Sequence, residues 1–148
     1  MYLILALIGL ALLLAIALWI KRKRDRQELE QHTITPDELH ALLQSKQEVL
    51  LYDVRRPLDL LADSEMIVGA TRIPPQELLE NPSVIPRDKD AVIYCTCPGD
   101  ETSRRILREA LALHCQRIKV LKGGLAEWKR KGYPVGPYNE SFHLEIRT

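Results

Sequence analysis

The sequence predicts an α/β domain, a parallel sheet with helices on both faces, preceded by one transmembrane helix. Three observations predict it. Short apolar runs such as Val49-Leu50-Leu51-Tyr52-Asp53-Val54 and Ala91-Val92-Ile93-Tyr94 have the character of strands buried on both faces. These runs alternate with helical segments, the pattern of parallel βα units. The first 20 residues form an unbroken apolar stretch that ends at the basic hexad Lys21-Arg22-Lys23-Arg24-Asp25-Arg26.

Taken in order, residues 1–20 are long enough as a helix, about 30 Å, to match the hydrocarbon layer of a bilayer. No polar stripe breaks Tyr2 to Ile20, and Trp19 and Tyr2 sit where interfacial aromatics are expected. A cleaved signal peptide would carry positive charge before the apolar run and small residues after it. Here Leu18-Trp19-Ile20-Lys21 closes the run, so an anchor is the expectation. The basic residues all follow it, which places the N-terminus outside and the domain in the cytoplasm. The hexad reads as a stop-transfer signal.

Residues 21–34 are expected to be a basic juxtamembrane segment and linker, with Gln27 to Thr33 as a short polar stretch. A folded domain then spans residues 35–135. It opens on Thr35-Pro36-Asp37-Glu38, a capping box with proline at the first helical position. Leu39, Leu42 and Leu43 give that helix its apolar face. After the Val49 strand come a short helix from Pro57 to Ala62, a brief strand from Gly69 to Ile73 and a helical turn from Gln76 to Glu80. The Ala91 strand leads to a helix from Thr102 to Leu113, a strand from Arg117 to Leu121 and a helix around Leu125 to Lys131. Residues 136–148 form a tail in which Ser141 to Arg147 alternates weakly, as an extra edge strand would.

Composition narrows the function. Of 21 basic and 20 acidic residues, the hexad holds five and one, leaving 16 basic against 19 acidic in the remainder. That balance argues against a nucleic-acid partner. The three cysteines Cys95, Cys97 and Cys115 are odd in number and do not suggest a secreted disulfide scaffold.

In a parallel α/β sheet, ligands bind where strand ends lead into helices. Tyr94-Cys95-Thr96-Cys97-Pro98-Gly99-Asp100-Glu101-Thr102-Ser103 occupies such a place. A thiol there faces free N–H groups and the positive end of a helix dipole, which favour a thiolate. Asp100 and Glu101 oppose an anion in this loop, whereas Arg104 and Arg105 compensate if they point inward.

Five stretches carry a resemblance: Leu51-Tyr52-Asp53-Val54-Arg55, Gly69-Ala70-Thr71-Arg72-Ile73-Pro74, Val92-Ile93-Tyr94-Cys95, Val120-Leu121-Lys122-Gly123-Gly124-Leu125-Ala126-Glu127-Trp128 and Gly132-Tyr133-Pro134-Val135. In this order and spacing the chain resembles a rhodanese domain. The Tyr94-Cys95-Thr96-Cys97-Pro98 loop is most similar to rhodanese domains attached to DedA-type membrane proteins. The resemblance implies a central five-stranded parallel sheet and sulfurtransferase chemistry without a cofactor. In that chemistry a cysteine takes sulfane sulfur from a small donor, thiosulfate or a persulfide, and passes it to a thiol acceptor. The membrane, and another membrane protein, complete the expected partners.

Carried over residue by residue, the resemblance makes Cys95 the nucleophile of first choice, since the strand ends in Tyr94-Cys95. Counting back from Gly123-Gly124 selects Cys97 instead, as alternative nucleophile or as a resolving thiol. Thr96, Pro98, Gly99, Asp100, Glu101, Thr102, Ser103 and Arg104 form the substrate-binding loop. Asp53 supports it by hydrogen-bonding nearby loops, and Arg72 lines the approach. The fifth residue after the nucleophile, usually arginine, is Asp100 counted from Cys95 and Thr102 counted from Cys97. This departure keeps a second reading open: a rhodanese-fold binding or redox-sensing module of low activity at the membrane. A phosphatase of this fold needs Cys-x5-Arg, but Ser103 stands at that place after Cys97 and Arg104 comes one residue late. A metal site of Cys95, Cys97, His114 and Cys115 is disfavoured because a helix of about 17 Å separates the two pairs.

Overall fold

The computed structural model describes residues 1–96 and 98–139. The chain divides into two units, Met1–His32 and Thr33 onward. The first is a single helix, α1 (Tyr2–Gln31), which buries none of its side chains and is long and apolar enough to cross a membrane. Beyond Ile20 the helix continues where a polar linker was expected. Residues 21–31 contain neither Gly nor Pro and are mostly Lys, Arg, Glu and Gln, all good helix formers. Lys23 Nζ lies 5.4 Å from the Trp19 ring centroid, a cation–π contact one turn apart.

The second unit is an α/β domain. Its sheet contains β1 (Thr33–Ile34), β2 (Val49–Asp53), β4 (Thr71–Arg72), β5 (Asp90–Tyr94) and β6 (Ile118–Leu121), in the order β1-β6-β5-β2-β4. All four pairings are parallel. Between the strands lie α2 (Pro36–Gln44), α3 (Pro57–Ala62), α4 (Pro75–Glu80), α5 (Glu101–Ala112) and α6 (Gly124–Arg130). A separate antiparallel pair joins β3 (Glu65–Ile67) to β7 (Val135–Pro137). The expected strand from Gly69 to Ile73 shrinks to Thr71–Arg72, because Val68-Gly69 form a turn with Gly69 at φ +85° and Pro74 follows. The β3–β7 pair was not foreseen, and it carries the fold two residues past position 135. The edge strand expected from Ser141 to Arg147 lies outside the described residues.

Helix α2 starts as its sequence dictates. Thr35 accepts from the Glu38 N–H, and the Glu38 carboxylate accepts from the Thr35 N–H, a complete capping box. Side chains alternate across the sheet, so each strand feeds two cores. On one face Leu51, Val92, Tyr94 and Leu121 pack with Leu39 of α2, Leu125 and Trp128 of α6, and Ile67 of β3. The alternate strand residues Ala91, Ile93, Ile118 and Val120 are also buried, as are Leu78 of α4 and Ile106, Leu107 and Ala110 of α5.

One polar network is set into this apolar interior. Asp53, at the end of β2, and Arg55, just after it, are both fully buried and form an ion pair. Arg55 Nε donates to both Asp53 carboxylate oxygens at 2.9 Å, and Nη2 donates to Oδ2 at 2.6 Å. Two further guanidinium N–H groups, on Nη1 and Nη2, donate to the carbonyls of Asp63 and Glu65, each at 2.7 Å. Tyr94 donates its hydroxyl to Asp53 Oδ2 at 3.1 Å and accepts from the Ile67 N–H at 3.2 Å. Burial and the neighbouring Asp53 carboxylate push the Tyr94 phenol far up, so it remains a hydroxyl donor. Breaking a buried pair from one side leaves an uncompensated charge, which costs about 3–5 kcal/mol. Arg55→Met should therefore destabilise the domain by about that amount in denaturant unfolding followed by circular dichroism.

Candidate functional site

Strands β2, β4 and β5 end level with one another. Asp53 pairs in register with Arg72 on one side and with Tyr94 on the other. The chain leaving β5 at Cys95 therefore rises from the carboxyl edge of the sheet beside the buried network. A 3-10 turn, Pro98–Asp100, then leads directly into α5. Gly99 and Asp100 both adopt left-handed backbone, at φ +64° and +56°. Glycine accepts this conformation freely, but aspartate needs compensation from its surroundings.

That compensation comes from the β6–α6 turn. Asp100 is 7% exposed, and its Oδ2 accepts from the Gly123 N–H at 2.9 Å. Two residues on, the Leu125 N–H donates to the Cys95 carbonyl at 3.2 Å. The turn thus holds the loop at both ends. The approach is very close: a Cβ placed on Gly124 would stand 1.9 Å from the Cys95 carbonyl oxygen and 3.5 Å from Asp100 Oδ1. Gly124 also has φ +54°, so both its space and its conformation demand glycine.

The expected site residues are placed as follows. Cys95 immediately follows β5 and is 1% exposed, so attack from it requires the thiol to be uncovered. Thr96 is half-buried beside it. Cys97 lies outside the described residues. Gly99 is exposed and Asp100 is buried. Glu101, Thr102, Ser103 and Arg104 make the first turn of α5, with Glu101 exposed, Thr102 and Arg104 half-buried, and Ser103 fully buried. Ser103 Oγ, Arg104 Nε and Arg72 Nε are buried atoms without a hydrogen-bond partner among the described residues. Arg72 ends β4 and is half-buried, more enclosed than a solvated surface arginine. Burial pushes the Asp100 carboxyl above the usual range, against the Gly123 N–H and the Arg104 charge, which favour its ionised form.

Asp53 accepts from the Arg55 backbone N–H and side chain in the loop after β2 and from the Tyr94 hydroxyl at the end of β5. Three residues that carry this region had been given no role at the site: Arg55, Gly123 and Gly124, the glycine pair having been read only as a turn into the last helix. The available signals were a basic residue two places after a strand-ending aspartate, and a Gly-Gly pair opening a helix. Cys115 is buried at 3% just beyond α5, where its N–H donates to the Ala110 carbonyl. Among the described residues, no group of three His, Cys, Asp or Glu is placed to hold a metal ion.

Comparison with known proteins agrees with this architecture. The Rhodanese-like domain family matches residues 35–131. A sulfurtransferase from Allochromatium vinosum is 31% identical over 102 residues, covering 69% of this chain and 92% of its own. A rhodanese-related protein from Thermoplasma volcanium, known from its crystal structure, is 26% identical with a TM-score of 0.56, covering 71% of this chain and 97% of its own. A full-length protein from Lactobacillus plantarum superposes with a TM-score of 0.67 at 21% identity, over 79% of this chain and 97% of its own, a likeness of fold. A five-stranded parallel sheet with a strand-end cysteine before a helix is what the resemblance led one to expect, and with the family matching about two thirds of its length the chain belongs to the rhodanese-like domain family.

Proposed function

We propose that this chain is a membrane-anchored sulfurtransferase that carries sulfane sulfur as a persulfide on Cys95. The observation behind this reading is the position of Cys95 at the carboxyl end of β5, in a loop that opens onto the N-terminus of α5, within a rhodanese-like domain. The Cys95 thiolate attacks the outer sulfur of a donor such as thiosulfate. A new S–S bond forms on Cys95, the donor's S–S bond breaks, and its electron pair leaves with sulfite. A thiol acceptor, as thiolate, then attacks the terminal sulfur and restores the Cys95 thiolate. N–H groups at the start of α5 stabilise the negative charge that the persulfide carries. Cys97 is the alternative nucleophile or a resolving partner for Cys95.

Helix α1 is the anchor in this reading. The basic residues after Ile20 orient it with the N-terminus outside and the domain in the cytoplasm, a reducing compartment that keeps thiols available. The loop's similarity to rhodanese domains of DedA-type membrane proteins suggests a donor or acceptor within the membrane.

Three measurements test this. After incubation with a sulfane donor, the intact chain should gain the mass of one sulfur atom, and Cys95→Ser should lose that gain. A gain that persists in Cys95→Ser and disappears in Cys97→Ser moves the nucleophile to Cys97. No gain and no thiocyanate from cyanide refutes the enzyme, leaving a binding module. Gly124→Ala should lower the rate of sulfur uptake at least about tenfold, because a methyl group there displaces the Cys95 carbonyl. In sealed membrane vesicles with the cytoplasmic face outward, added protease should digest the domain. Protection of the domain in those vesicles would reverse the orientation.

A further inference from the structure

We propose that residues 141–147 fold back over helix α3 and cover the two leucines it leaves exposed, Leu58 and Leu61. The proposal concerns an interaction surface of the domain and stands whether or not a cysteine carries sulfur.

Helix α3 has few contacts of its own. It runs for six residues, Pro57–Ala62, and buries one side chain, Leu60. A helix of that length is unstable in water unless tertiary packing supports it. Leu58 and Leu61 lie one turn apart on the same side of the helix, and they are 73% and 57% exposed. Among the described residues of the domain, no other helix exposes a large apolar side chain.

The course of the chain brings the segment to this helix. Strand β7 runs antiparallel to β3, with Ile67 opposite Val135 and Glu65 opposite Pro137. One residue further on, the Tyr138 N–H donates to the Ser64 carbonyl at 2.8 Å. The chain leaving Tyr138 is therefore directed back along the path that led from α3 into β3. Leu61 stands three residues before Ser64 and Phe142 stands four after Tyr138, spans of at most about 11 and 14 Å.

The segment also has the right pattern. Phe142, Leu144 and Ile146 alternate with Ser141, His143, Glu145 and Arg147. In an extended chain alternate side chains share a face, so one side is wholly apolar and the other polar. The apolar side suits the exposed leucines, and the polar side remains in water. Each apolar group covered in this way leaves water, which favours the docked state.

The test uses the full chain in detergent. A photoreactive benzophenone amino acid is placed at position 61, where the native side chain is exposed. After irradiation it should be joined to residues 141–147 of the same chain. Amide exchange across residues 57–62 is then followed by mass spectrometry. In the variant Phe142→Ser/Leu144→Ser/Ile146→Ser that exchange should be at least about fivefold faster, while exchange in β5 stays unchanged. The polar-side variant Glu145→Ala/Arg147→Ala should exchange as the wild-type chain does. Cross-links from position 61 only to a second copy of the chain, or only to detergent, overturn the proposal. Exchange across 57–62 that is the same with and without the three apolar side chains overturns it too. So does equal acceleration in the polar-side variant, because the apolar side is then not what protects α3.

Discussion

The domain depends on one buried ion pair. Asp53 and Arg55 are two residues apart in sequence, yet they connect strands that are far apart. Asp53 ends the interior strand β2, and Arg55 reaches the carbonyls of Asp63 and Glu65 beside β3. Tyr94 joins β5 to the same group. Two buried charges are tolerable only when nearly every donor and acceptor is used, and here the guanidinium has partners on all three of its nitrogens. The reward is positional: the last residue of β5 is fixed by its own side chain, and Cys95 is the next residue.

A second constraint fixes the far end of the loop. The β6–α6 turn approaches so closely that its backbone N–H groups bind a carbonyl at the start of the loop and a carboxylate at its end. A side chain on Gly124 would forbid that approach. The loop is thus held by backbone geometry and one acidic residue. This accounts for an aspartate in left-handed backbone at position 100. Its duty is to the neighbouring turn, whose Gly123 N–H donates to its carboxylate.

Much of the fold was legible in the sequence because the strands are short, apolar and bounded by strong signals. The capping box at Thr35, the helix from Pro57 to Ala62 and the Gly123-Gly124 turn into the last helix appear in the structure where local rules put them, and the helical turn expected from Gln76 starts one residue earlier, at Pro75. What escaped was set by partners distant in the chain. Glu65–Ile67 has little strand character of its own and becomes a strand by pairing with Val135–Pro137. The linker after Ile20 looked polar and loose, but polarity does not end a helix; Gly, Pro and β-branched clusters do. At the site, the strand-end position of Cys95 was readable from the apolar run before it. The burial of Asp100 was not, because it depends on the turn that follows β6.

The sheet topology has a consequence for biogenesis. Strand β1 directly follows α1 in the chain, but its pairing partner is β6, Thr33 lying opposite Val120. At ribosomal speeds of roughly 5–20 residues per second, β1 waits on the order of 4–17 s before its neighbour exists. The long apolar helix is complete, and available to membrane insertion, well before the domain behind it can close its sheet. During that interval the nascent domain has an edge strand without its mate and an interior strand, β2, still waiting for β5. Folding of the soluble part is therefore a late event, and it takes place on a chain whose leading helix has already been made.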